Sequence, residues 1–197
     1  EAGVYKLDKE LSPNVQVNIL GKTPEDYSKV DVILNDYPAR TVVSTVISGQ
    51  NKSRIFNTTQ DVKPALILQN LELRDASTTG LGGALYVGGA LSLANVTIVN
   101  AKAADGGAIY LDGSAANSLS IAKSIFRANQ ATKGSVLSMT CGDQLLYTRR
   151  TLQVNNSSFI QNGAANNQSM FVFCGEPVAE FNTNTIAKNT VNPQTGH

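Results

Sequence analysis

The chain repeats itself, and the repeat decides what it can fold into. Leu66-Ile-Leu-Gln-Asn-Leu-Glu-Leu73, Leu91-Ser-Leu-Ala-Asn-Val-Thr-Ile98, Leu119-Ser-Ile-Ala-Lys-Ser-Ile-Phe126, Leu152-Gln-Val-Asn-Asn-Ser-Ser-Phe159 and Ala179-Glu-Phe-Asn-Thr-Asn-Thr-Ile186 all place apolar residues at positions 1, 3 and 8. Their starts are separated by 25, 28, 33 and 27 residues. An Asn follows position 8 at Asn100, Asn129, Asn162 and Asn189. A small-residue turn then leads to a second apolar pair in Gly82-Gly-Ala-Leu-Tyr86, Gly106-Gly-Ala-Ile-Tyr110, Gly134-Ser-Val-Leu137 and Gln168-Ser-Met-Phe171. A unit of this size holds about three short strands and is too small to bury its own apolar face, so it must stack on its neighbours.

Stacking strand on strand at about 4.8 Å gives an all-β, right-handed parallel β-helix of about five coils over 44–189, with positions 1, 3 and 8 pointing inward. Residues 1–43 are expected to supply irregular strands that cap one end, and 190–197 a tail. The recurrent Asn has two readings: a ladder of side-chain amides passing from coil to coil, or residues tolerating left-handed turns. A leucine-rich repeat shares the period. Its convex helices would have to form from Ala101-Lys-Ala-Ala-Asp-Gly-Gly-Ala108 and Asp112-Gly-Ser-Ala-Ala-Asn-Ser118, which carry no amphipathic stripe.

The two cysteines sit four residues after Leu137 and Met170, taken as the same repeat position as Ile109, so Cys141 and Cys174 are expected at equivalent sites of successive coils. That separation suits a disulfide, worth ~3 to 4 kcal/mol in the chain-entropy model, and a bridge implies an oxidising compartment. Two buried free thiols are the alternative.

Gly-Gly-Ala-Leu/Ile at 82–85 and 106–109, alternating with Phe-x-x-Asn at 126–129 and 159–162, resembles the paired repeat of the polymorphic outer-membrane proteins of chlamydiae. More broadly it resembles the pectin-lyase-like right-handed β-helix repeats of secreted and surface proteins. The resemblance implies a non-catalytic, extracellular or surface-displayed module with a structural or adhesive role, part of a larger surface protein. Its partners would be a host or neighbouring cell-surface protein or glycan, with self-association through the coil ends. Gly134-Ser-Val and Asn167-Gln-Ser depart from the Gly-Gly-Ala pattern, and Ile98-Val-Asn shortens Phe-x-x-Asn.

Chemistry is thin by comparison. Lys plus Arg number 16 against 15 Asp plus Glu, scattered rather than blocked, so charge selects neither nucleic acid nor anionic lipid. No apolar run reaches membrane-spanning length and no signal-type leader opens the chain, which reads as mature, soluble protein. The one His, His197, follows Pro193-Gln-Thr-Gly196 and reads as the start of a tag; no metal or cofactor is expected. The second function class is a carbohydrate-active lyase, hydrolase or epimerase, which needs an outward groove of acids with a basic partner. Its candidates are Asp105, Asp112, Asp143 and Glu176, with Arg127, Arg149 and Arg150. Arg149 and Arg150 lie in the loop that stretches the third unit, the place for a binding loop on a rigid scaffold. Glycosylation motifs Asn-x-Ser/Thr occur at Asn51, Asn57, Asn95, Asn155, Asn156 and Asn167.

Overall fold

A computed structural model describes residues 1–22, 45–112, 118–140, 151–163, 169–174 and 177–190 of the chain. Every strand pairing among them is parallel. No helix occurs among the described residues, which removes the leucine-rich alternative. The molecule is a parallel β-helix.

Three stacks of strands build it. The first holds β2 (Val17–Leu20), the leading halves of β5 (Leu66–Arg74) and β7 (Leu91–Val99), then β9 (Ser118–Ala122), β12 (Thr151–Asn155) and β15 (Val178–Asn182). The second holds β1 (Gly3–Lys6), β3 (Thr45–Ser48), the trailing halves of β5 and β7, β10 (Ile125–Arg127), β13 (Ser158–Ile160) and β16 (Thr185–Ala187). Both stacks belong to one 11-stranded sheet. A 5-stranded sheet closes the third side with β4 (Phe56–Asn57), β6 (Leu85–Val87), β8 (Ile109–Leu111), β11 (Leu137–Met139) and β14 (Phe171–Val172).

Position 1 of the repeat forms one column, Leu66, Leu91, Leu119, Leu152 and Ala179, each in register with the next. Position 8 forms another, Leu73, Ile98, Phe126, Phe159 and Ile186. The Phe126 and Phe159 rings stack within that column at 5.2 Å and 15°. The second apolar pair lines the opposite wall as Leu85, Ile109, Leu137 and Phe171. Like residue above like residue is what a core of fixed cross-section requires, because each coil must fill the same area.

The corners follow from backbone chirality. Two left-handed residues five apart flank the second stack in every coil from β5 onward. They are Asn70 and Asp75, Asn95 and Asn100, Lys123 and Ala128, Asn156 and Gln161, Thr183 and Lys188, all with φ between 50 and 56°. Asn and Asp accept this region readily; Lys, Ala, Gln and Thr occupy it at a cost of roughly 1–2 kcal/mol each, offset by the hydrogen bonds between coils. At the third corner Gly82, Gly106 and Gly134 take φ of 65, 66 and 55°. The departing unit thus keeps the glycine that the turn needs. It replaces only the second one, with Ser135.

The Asn question resolves both ways. Asn129 and Asn162 are buried and donate through Nδ2 to Oδ1 of Asn162 and Asn189, 3.0 Å in each case. The same Oδ1 atoms accept from the backbone N–H of Asn129 and Asn162. Asn100 was expected in this ladder but stands one position too early. Ala101 occupies the ladder position and donates its N–H to Asn129 Oδ1, while Asn100 is an exposed left-handed corner whose Nδ2 reaches Asp75 Oδ1 at 3.2 Å. A second inward column runs beside it, where Val96, Ser124 and Ser157 N–H donate to Ser124 Oγ, Ser157 Oγ and Asn184 Oδ1.

The parallel ladder reaches back to Gly3, since β1 pairs β3 and β2 pairs β5 in register. Residues 23–44, the greater part of the expected cap, lie outside the described residues.

Candidate functional site

Strand alternation sends Phe56, Leu85 and Ile109 inward, so the next residues in register, Asn57, Tyr86, Tyr110 and Ser138, form a column on the opposite face of the 5-stranded sheet, where Asn57 and Tyr86 are half-buried and Tyr110 and Ser138 are buried. Parallel pairing brings the two Tyr rings edge to face, 5.5 Å apart at 84°. Arg54 lies over Tyr86 with its guanidinium carbon 5.2 Å from the ring centre. The guanidinium is held by Leu81 and Gly82 carbonyls and by Glu10, whose Oε2 takes Nη1 at 2.6 Å. Glu10 Oε1 accepts from Asn57 Nδ2 at 3.1 Å, and Asn57 Oδ1 accepts from Thr59 N–H and hydroxyl. Asn57, Glu10, Arg54 and Tyr86 therefore form one connected, half-buried cluster, with Tyr110 buried against it.

Burial holds the Tyr86 phenol above its ordinary pKa of 10.0; the Asp112 charge adds to the rise and Arg54 opposes it. Tyr110 is raised too, first by burial and then by Asp105, against a hydrogen bond with Thr140. Both phenols are neutral at physiological pH and can donate or accept hydrogen bonds beside an apolar ring. Asp112 lies 3.4 Å from Lys63 Nζ. A second cluster on the second stack joins Arg74 to Glu72 at 3.7 Å and to Asp75 at 3.6 Å, and desolvation raises the Glu72 pKa against the pull of Arg74 and Arg127.

Sequence reasoning did not single out this column. Its signal is the Tyr that follows Leu85 and Ile109 at the same offset after Gly-Gly-Ala, which the apolar pattern of those segments does not distinguish. Glu10 and Arg54 are 44 residues apart and carried no local signal.

Among the acids expected to line a groove, Asp105 and Asp112 are described, and Asp143 and Glu176 lie outside the described residues with Arg149 and Arg150. No group of three or more His, Cys, Asp or Glu gathers as a metal site among the described residues. Of the Asn-x-Ser/Thr positions, Asn51 and Asn156 are exposed left-handed corners. Asn95 Nδ2 is engaged with Asn70 Oδ1 at 2.9 Å, Asn57 Nδ2 with Glu10, and Asn155 Oδ1 accepts from Asn182. Asn167 lies outside the described residues.

The equivalence assumed for the cysteines needs correction. Leu137 pairs with Phe171, not Met170, whose carbonyl instead accepts the Val136 N–H. The stretch from Asn162 to Phe171 has one residue more than that from Asn129 to Leu137, so counting along the register sets Cys174 level with Thr140, one short of Cys141. Cys174 is not a free thiol. Cys141 lies outside the described residues.

Comparison with family models, with curated proteins and with solved structures finds no match. The likeness to chlamydial outer-membrane repeats therefore stands on the quoted motifs, and what is shown is a parallel β-helix.

Proposed function

We propose that this chain is a non-catalytic, surface-displayed or secreted β-helix module whose role is structural and adhesive, with the half-buried face around Asn57 and Tyr86 as its contact surface for a glycan or cell-surface protein. The observation that carries the reading is the tie from Asn57 through Glu10 and Arg54 to Tyr86, which holds the half-buried Tyr86 phenol in place, with the buried Tyr110 ring packed behind it. A preorganised surface of this kind binds without the cost of ordering loops. A Cys141–Cys174 bridge between neighbouring coils belongs to the same proposal, as does an oxidising location, with Asn51 and Asn156 as the exposed glycan acceptors.

A glycan array probed with the labelled chain, run beside a polyuronate turnover assay, tests the reading. Saturable binding that Tyr86→Ala weakens by tenfold or more, without turnover, is the expected result. Turnover abolished by Asp112→Ala would establish the carbohydrate-active enzyme instead.

A further inference from the structure

The last described coil breaks the pattern of burial kept by the coils from β5 to β13. In the position 3 column Leu68, Leu93, Ile121 and Val154 are buried, but Phe181 is 38% exposed. In the position 8 column Phe126 and Phe159 are fully buried, but Ile186 is 59% exposed. Both residues point inward by register. Among the described residues no strand lies beneath them.

Two hydrogen-bond columns stop at the same edge. Ser124 N–H donates to Ser157 Oγ and Ser157 N–H to Asn184 Oδ1, while Asn129 N–H donates to Asn162 Oδ1 and Asn162 N–H to Asn189 Oδ1. Each coil thus receives, from the coil below, one side-chain oxygen at each of two positions five residues apart. Among the described residues the backbone N–H groups of Asn184 and Asn189 have no such acceptor; Asn184 lies between β15 and β16 and Asn189 follows β16, and these two strands pair only with β12 and β13.

We infer that this edge receives a further parallel strand from outside these 197 residues, and that the strand carries the pattern Ser/Asn-x-apolar-x-x-Asn. Its first and last residues would supply the two oxygens, and its apolar residue would cover Ile186. The interface continues the one already repeated between β10, β13 and β16. The pattern occurs in this chain at Ser124–Asn129, Ser157–Asn162 and Asn184–Asn189, each already built into the stack. The opposite edge of a second copy does not meet it. In register with Leu73 through Ile47 stands Tyr5, which puts Gly3 and Asp8 at the two oxygen positions, and Gly3 has no side-chain oxygen.

The test uses fluorescence anisotropy with a labelled peptide of the sequence Thr151–Gly163. Saturable binding is expected, weakened at least tenfold when the peptide residues corresponding to Ser157 and Asn162 are both Ala. Ile186→Asp in the protein should weaken it similarly, with Leu20→Asp at the far end as a control that leaves it unchanged. Ile186 is already exposed, so circular dichroism of the variant should match the parent. Equal binding of the two peptides, no saturable binding, or insensitivity to Ile186→Asp would overturn the inference. So would a concentration-dependent dimer that Ile186→Asp abolishes, since the occupant would then be a second copy. None of these outcomes bears on the Tyr86 surface.

Discussion

Asn162 and Asn100 show how one side chain does two kinds of work according to a shift of one place in the coil. Asn162 is buried, and its amide serves Asn129 above, Asn189 below and the Phe126 carbonyl at 3.0 Å. Truncation strands buried donors and acceptors, so Asn162→Ala should lower stability by about 2–4 kcal/mol in urea denaturation, whereas Asn100→Ala, at an exposed corner, should cost about 1 kcal/mol. A similar loss at both sites would refute the ladder as a source of stability. Glu72 gives a pH signature. Its folded-state pKa is raised, so the folded chain binds the proton more tightly. The stabilisation that protonated Glu72 contributes is complete below 4.5 and is lost as pH climbs through the raised value. Melting temperatures of Glu72→Gln should therefore gain on the parent as pH rises above 4.5; a difference that shrinks over that range would assign the shift the wrong sign.

At the scale of the strand and turn, the coil is governed by how closely backbones approach. A Cβ on Gly107 would lie 2.3 Å from the Ser135 carbonyl oxygen and 2.8 Å from that of Gln130, both rigid backbone atoms, whereas one on Gly80 would meet only Thr78 Oγ1 at 3.8 Å. Gly107→Ala is expected to destabilise by about 3 kcal/mol or more and Gly80→Ala by less than about 1 kcal/mol, read from thermal melts checked by far-ultraviolet dichroism. Thr183 is a β-branched residue at a left-handed corner where Asn70, Asn95 and Asn156 stand in other coils. Thr183→Asn should stabilise by about 1 kcal/mol in the same melts, because it relieves that strain while the side chain stays exposed.

Over the whole molecule, stability is the sum of interfaces between neighbouring coils, so a covalent tie between coils matters more than any one surface pair. If Cys141 and Cys174 are joined, intact mass should rise by two hydrogens on reduction, and reduction should lower stability by ~3 to 4 kcal/mol in the loop-entropy view. Unchanged mass with two reactive thiols in the unreduced chain would dismiss the bridge. Phe181 and Ile186 are exposed where Val154 and Phe159 of the preceding coil are buried, so hydrogen exchange should find β15 and β16 opening before β10 and β13.

The apolar spacing, together with segments between the strands that carry no amphipathic stripe, determined that the units stack strand on strand. It also determined which residues share a column, since register in a buried sheet cannot slip by one without turning its core outward. Where the one-residue count failed, at Asn100 and at Met170, the cause was a corner or turn whose length strand periodicity does not encode. Only the tertiary structure brought Glu10 across 44 residues to the Arg54 that lies over the Tyr86 ring, and only it showed Phe181 and Ile186 exposed at positions buried in the coils before them. Those are matters of which coil lies beside which, and a pattern read within a single coil is blind to its neighbours.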